Sequence, residues 1–145
     1  MRIAFSISRK VLSFATPAYS VSMRATSGRD GCMNNPSVSC MVTANQGPIP
    51  VGFYYIDPKE LSDPILAGDV IRRAQGDWGD WRIRLHPAAG TNTFGRDGFF
   101  IHGGGMDGSA GCIDIGGGVL GNRQTDKLLA AIKGSPITIA VEVTG

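Results

Sequence analysis

No stretch of the sequence approaches the roughly 18 consecutive apolar residues of a membrane-crossing helix, which argues against a span. Nor does any run of Lys or Arg exceed two residues, and the formal net charge is only +2. The chain therefore offers no electrostatic reason to expect nucleic acid as a partner. Internal repeats and low-complexity tracts are also missing, which excludes solenoids and collagen-like rods. Charged residues are sparse at 18% against 42% hydrophobic ones, a balance that supplies a core and argues against disorder. A length of 145 residues predicts one domain over 1–145. Glycine is plentiful, 21 residues or about twice the usual share, and its scattered placement points to turns and tight loops.

The hydrophobic pattern predicts a mostly β fold with one or two short helices. Ile3, Phe5 and Ile7 alternate with smaller or polar residues, a period-two pattern. The uncharged stretch 11–23 is diluted by Pro17 and several hydroxyl residues, so it reads as strand rather than as a cleaved signal. Residues 2–26 thus become two or three strands, turning near Ser8-Arg9-Lys10 and Thr16-Pro17. Residues 27–50, rich in Gly, Ser, Asn and Pro, read as a long ordered loop. Further strands are expected at Val51 to Ile56, ended by Asp57-Pro58, at Trp81 to Leu85, at Phe99 to Ile101, at Ile113 to Ile115 and at Ile137 to Val143. A short helix is expected around Asp69–Gln75, and a longer one from Asn122 to Lys133, with Leu128, Leu129 and Ile132 on one side and Gly134 as its stop. Of Tyr54 and Tyr55, one should face inward and the other outward. Trp78 and Trp81 read as packing residues, and His86 as a turn or surface histidine.

The chemistry concentrates between His102 and Cys112. A thiolate is the working nucleophile of cysteine enzymes, and a free thiol needs a neighbouring base or positive field to form it. An imidazole supplies both. Ten residues separate His102 from Cys112, and the glycine-rich loop between two strand ends can fold back to join them. Gly111 is expected to leave room for a substrate carbonyl, with backbone N–H groups around Ala110–Cys112 binding the developing oxyanion. A metal centre would need more ligands than Asp107 and Asp114 add. The other two cysteines, Cys32 and Cys40, enclose seven residues. They can close a disulfide or stay reduced, and the sequence does not choose.

The run Ile101-His102-Gly103 followed by Ser109-Ala110-Gly111-Cys112-Ile113 resembles the His-Gly…Ser-X-Gly-Cys signature of L,D-transpeptidases, the YkuD-like family. Thr43 to Gly52 is similar to that family's threonine…proline-X-glycine strand entry. A compact branch that includes type VI secretion effectors is more similar still, through Asn34-Asn35-Pro36, Gly47-Pro48-Ile49-Pro50-Val51-Gly52, Phe94-Gly95-Arg96-Asp97-Gly98-Phe99 and the His102/Cys112 block. Together these cover most of residues 30–115. The resemblance implies a β-sandwich-like catalytic domain in which Cys112 attacks the stem tetrapeptide of peptidoglycan and releases its terminal D-Ala. Water (carboxypeptidase action), another D-amino acid (exchange) or a second stem (cross-linking) then takes the acyl group. It further implies His102 as base, the Gly103 carbonyl as the imidazole's third partner, Ser109 as a brace of the loop, and no cofactor. For an effector it implies a non-classical secretion route, action in the periplasm of a target bacterium and a cognate immunity protein. The alternatives are a housekeeping or phage-encoded cross-linking enzyme and a catalytically silent wall-binding domain.

The chain departs from the family's pattern twice. Ala110 stands where many members carry His, and Asp114 where many carry Arg two residues after the cysteine. An acid there suits a substrate carboxylate poorly, which leaves Arg96 as the substitute anion partner and Asp114 as a substrate-side residue of altered charge.

Overall fold

The computed structural model describes residues 1–63, 81–105, 107–118 and 120–145. Four strands open the chain: β1 (Arg2–Ser6), β2 (Val11–Ala15), β3 (Ser20–Arg24) and β4 (Thr26–Gly28). A short helix α1 (Val38–Met41) follows, then β5 (Gly52–Ile56), β6 (Arg82–Pro87), β7 (Phe99–His102), β8 (Ser109–Asp114), helix α2 (Arg123–Lys133) and β9 (Ile139–Thr144). The fold is mostly β with two short helices among the described residues, as the alternation predicts. The helix expected around Asp69–Gln75, and Trp78, lie outside the described residues.

Among the described residues the strands form a nine-stranded sheet in the order β3-β2-β1-β9-β5-β6-β7-β8-β4. Its two outermost strands, β3 and β4, are consecutive in the chain and separated only by Ala25. One residue advances the chain about 3.8 Å, so the sheet must curl until its two edges almost meet. The alternating apolar residues then point into the enclosed space. Ile3 lies opposite Phe14 and Phe5 opposite Leu12, and all four are buried. Tyr54, Ile56, Ile83, Leu85, Phe99, Ile101, Ile113 and Val141 complete the lining. Burying each of these large side chains contributes about 1.5–3 kcal/mol.

Helix α2 adds Leu128 and Ile132, both fully buried, to this core. Its start is fixed by a capping box: the Asn122 side chain accepts from the Gln124 and Thr125 N–H groups, while the Asn122 N–H donates to Thr125 Oγ1. Of the two tyrosines in β5, Tyr54 points inward and donates from its hydroxyl to the Pro50 carbonyl at 2.8 Å. Tyr55 points outward and stacks on His86.

The segment after β4 is ordered by covalent and polar ties. Cys32 and Cys40 form a disulfide with Cα atoms 5.3 Å apart. Asn34 bonds Ser27 twice, its N–H to the Ser27 carbonyl and its Oδ1 from the Ser27 N–H. Replacing both cysteines by serine is expected to lower the unfolding free energy by about 2.5 kcal/mol on loop-closure entropy. Urea titration of the oxidised wild type and the double variant measures it, and equal midpoints would remove the disulfide from the stability of this loop.

Candidate active site

β7 and β8 are adjacent and parallel, with Ile101 opposite Ile113 and His102 opposite Asp114. Side chains alternate across a strand. Ile101 and Ile113 therefore enter the core, while His102, Asp114 and, two residues earlier, Cys112 share the opposite face. The strand beginning at Ile113 in the sequence reading in fact starts at Ser109, because β8 also pairs with β4 from Gly28↔Ser109 to Thr26↔Asp114. Cys112 thus sits within a strand rather than on a loop. Strand spacing puts His102 and Cys112 diagonally across the ladder, about 4.8 Å across and about 6.7 Å along.

His102 is 2% exposed, and its Nδ1 lies 2.7 Å from the Gly103 carbonyl. A carbonyl only accepts, so a neutral imidazole carries its proton on Nδ1 and its basic lone pair on Nε2. Cys112 is 3% exposed, with Sγ 3.8 Å from the Gly98 carbonyl. Burial pushes its thiol above the ordinary value of 9.0, opposed by hydrogen bonds from the Phe100 backbone and the Ser109 side chain. The Asp114 charge raises it further and the Arg82 charge lowers it. The balance favours a protonated thiol at neutral pH. Ser109, expected to brace the loop, is also near enough to the thiol for its hydroxyl to favour the ionised form.

Gly111 has φ +77°, and a Cβ built on it would sit 2.9 Å from Arg96 Nη2 and 3.1 Å from the Phe99 ring. This left-handed residue kinks β8 just before the thiol. One expectation for Gly111 needs correction. The position a side chain would take there is filled by Arg96 and Phe99, and its N–H donates to the Gly47 carbonyl at 2.9 Å, which removes it as an oxyanion donor. Ala110 lines a shallow cavity of about 240 Å³ with Ala44, Asn45, Gly95, Arg96 and Asp97.

Arg96, expected as an anion partner, is turned inward. Its Nη1 donates to the Met41 carbonyl at 2.6 Å and the Pro48 carbonyl at 2.8 Å, and its Nη2 to the Gly47 carbonyl at 2.9 Å. The guanidinium also lies over the Phe99 ring. Desolvation lowers its pKa. The side chain thus ties the segment 41–48 to the start of β7, the strand that carries His102, and these contacts explain the Gly-Pro-Ile-Pro and Phe-Gly-Arg segments as one unit. Asp114 is 4% exposed and accepts the Gly116 N–H at 2.8 Å. It lines a cavity of about 210 Å³ with Arg24, Thr26, Asp107 and Gln124, where Arg24 and Asp107 form a two-bonded ion pair at 2.7 and 2.5 Å.

Arg82 escaped the sequence reading. Its only signal was the alternation of Trp81 to Leu85, which marks a strand without saying which neighbour it faces. Trp81 is fully buried, and His86 pairs with Glu60 at 2.6 Å on the outer surface. Among the described residues there is no group of three His, Cys, Asp or Glu side chains placed to hold a metal, and no helix long and apolar enough to cross a membrane.

The profile of the Tlde1 domain matches residues 21–130, from β3 through most of α2, and takes in every residue of this cluster. No curated protein matches the chain.

Proposed function

Because this chain belongs to the Tlde1 domain family, whose members are type VI secretion effectors of L,D-transpeptidase type acting on peptidoglycan, we propose that it is a cysteine-dependent L,D-carboxypeptidase and exchange enzyme of YkuD-like chemistry. Cys112 is the nucleophile and His102 its base, in one catalytic domain over 1–145. The observation that carries the reading is a thiol and an imidazole on one face of adjacent strands, the imidazole held by the Gly103 carbonyl.

His102 Nε2 takes the Cys112 proton as Sγ attacks the carbonyl that precedes the terminal D-Ala of a tetrapeptide stem. The proton passes to the leaving nitrogen, the amide bond breaks, and D-Ala departs from a thioester. Water or another D-amino acid then takes the acyl group, and the thiol recovers its proton. With the Gly111 N–H engaged elsewhere, oxyanion stabilisation falls to other donors of the cleft. Such an enzyme acts in the periplasm of a target cell, arrives by a secretion device and calls for a cognate immunity protein in its producer.

The test is digestion of purified tetrapeptide muropeptides followed by mass spectrometry. Tripeptide plus free D-Ala is expected, and added D-amino acids should appear in the exchanged product. Dimeric stems as the main product would favour a cross-linking enzyme. Binding without any shortening would leave a wall-binding domain.

A further inference from the structure

A carboxypeptidase of this kind must recognise a terminal carboxylate that is very close to its nucleophile. The leaving group is one residue, so its carboxylate carbon lies three bonds, within about 4 Å, from the scissile carbon. The cation that holds it must stand on the face of the sheet that carries Cys112.

Strand register places Arg82 and Arg84 of β6 on that face, and the contacts of Arg82 single it out. In β6, Arg82 lies opposite His102, and His102 lies opposite Asp114 in β8. Partners in a ladder point to the same face, with Cβ atoms about 4.5–5.5 Å apart in an antiparallel pair. Arg82, His102 and Asp114 therefore form one row across three strands, with Cys112 one step along from Asp114. The Arg82 guanidinium lies 5.5 Å from the centre of the Phe100 ring. Phe100 is two residues before His102 on the same face, so the guanidinium leans along the strand toward the level of Cys112. Its charge reaches the thiol, where it favours the ionised form. Among the described residues, Arg96 also acts on the thiol but is occupied by three carbonyls, while Arg84, opposite Phe100 on the same face, is exposed to solvent.

We propose that Arg82 is the substrate-binding residue that anchors the terminal carboxylate of the stem peptide. The planar guanidinium on a flat ring is pre-set for two parallel bonds to a carboxylate. The inference rests on the reading of Cys112 and His102 as the site of D-Ala release.

The experiment compares two substrates, a tetrapeptide ending in free D-Ala and the same peptide ending in D-alaninamide. The wild type should prefer the free acid by about 10- to 100-fold in kcat/KM, the range of a charge-assisted hydrogen bond. Arg82→Gln should abolish the preference through a raised KM for the acid, with little change for the amide. Arg82→Lys should keep part of it, which separates a lost anchor from a lost fold, and Arg84→Gln, one step further along the same face of β6, should keep it whole. No D-Ala release by the wild type from either peptide overturns the reading of the site and the anchor with it. Equal rates on both peptides, or a preference surviving in Arg82→Gln or vanishing in Arg84→Gln, overturns the anchor alone.

Discussion

Cys112→Ser is expected to lower D-Ala release from a tetrapeptide by at least about 1,000-fold in kcat, while leaving the thermal midpoint close to that of the wild type. The substitution keeps the shape of the side chain, so packing survives; what disappears is a nucleophile whose intrinsic reactivity an alcohol cannot match at this depth. Burial raises the thiol above 9.0, which has a signature in pH. The alkylation rate of Cys112 by iodoacetamide should keep rising beyond pH 9 instead of levelling near pH 6–7, as a preformed thiolate–imidazolium pair would require. Stability carries the same sign. The folded thiol holds its proton longer than the unfolded one, so its contribution is fully present below the ordinary value and is lost as pH rises toward the raised one. A serine variant with near-normal turnover, or an alkylation plateau near neutrality, would refute the mechanism.

Gly111→Ala is the second change with a large expected effect. At φ +77° a side chain costs about 1–2 kcal/mol from backbone strain alone. The new Cβ would press on Arg96 Nη2 and the Phe99 ring, and overpacking adds about 1–3 kcal/mol. Displacing Arg96 also loosens the three carbonyls of segment 41–48 that it holds. A shift of the thiol by about 1 Å costs about 100-fold in rate. The variant should therefore lose both stability and activity. Gly95→Ala serves as the control: its φ is +73° with nothing within 4 Å of the added carbon, so it should show the backbone cost without the loss of rate. Urea midpoints and kcat/KM for the pair decide the matter, and equal behaviour would mean that the clash with Arg96 is absorbed harmlessly.

The strands with one buried face were legible from sequence because burial imprints alternation, as in Ile3, Phe5 and Ile7 or in Ile139, Val141 and Val143. Helix α2 was legible from the apolar side formed by Leu128, Leu129 and Ile132 and from Gly134 as its stop, while the capping box of Asn122 and Thr125 emerges only in the folded chain. The start of β8 was not. Ser109, Ala110 and Gly111 are small and break the alternation, and the ladder with β4 that makes them a strand is a long-range pairing. The same limit hid the roles of the two arginines. Arg96 read as an anion partner because nothing local announces the three carbonyls it meets. Arg82 looked like one polar tooth of an alternating strand until register set it beside His102. Cys112 and His102 were nameable from a motif, yet the burial that sets the thiol's protonation follows from the folded sheet.

The place of β9 in the sheet has a consequence for how the protein is made. Although it is the last strand in chain order, it lies between β1 and β5, parallel to the first and antiparallel to the second. During synthesis β1 waits for a partner that emerges more than a hundred residues later, and β5 waits for the same one. The early strands can meander among themselves, but the sheet cannot join β1 to β5 until residues 139–144 have left the ribosome. Contacts this distant in sequence make folding slow and leave open edges on the nascent chain. The platform that supports His102 and Cys112 is therefore completed only once β9 has emerged, with that strand as its closing piece.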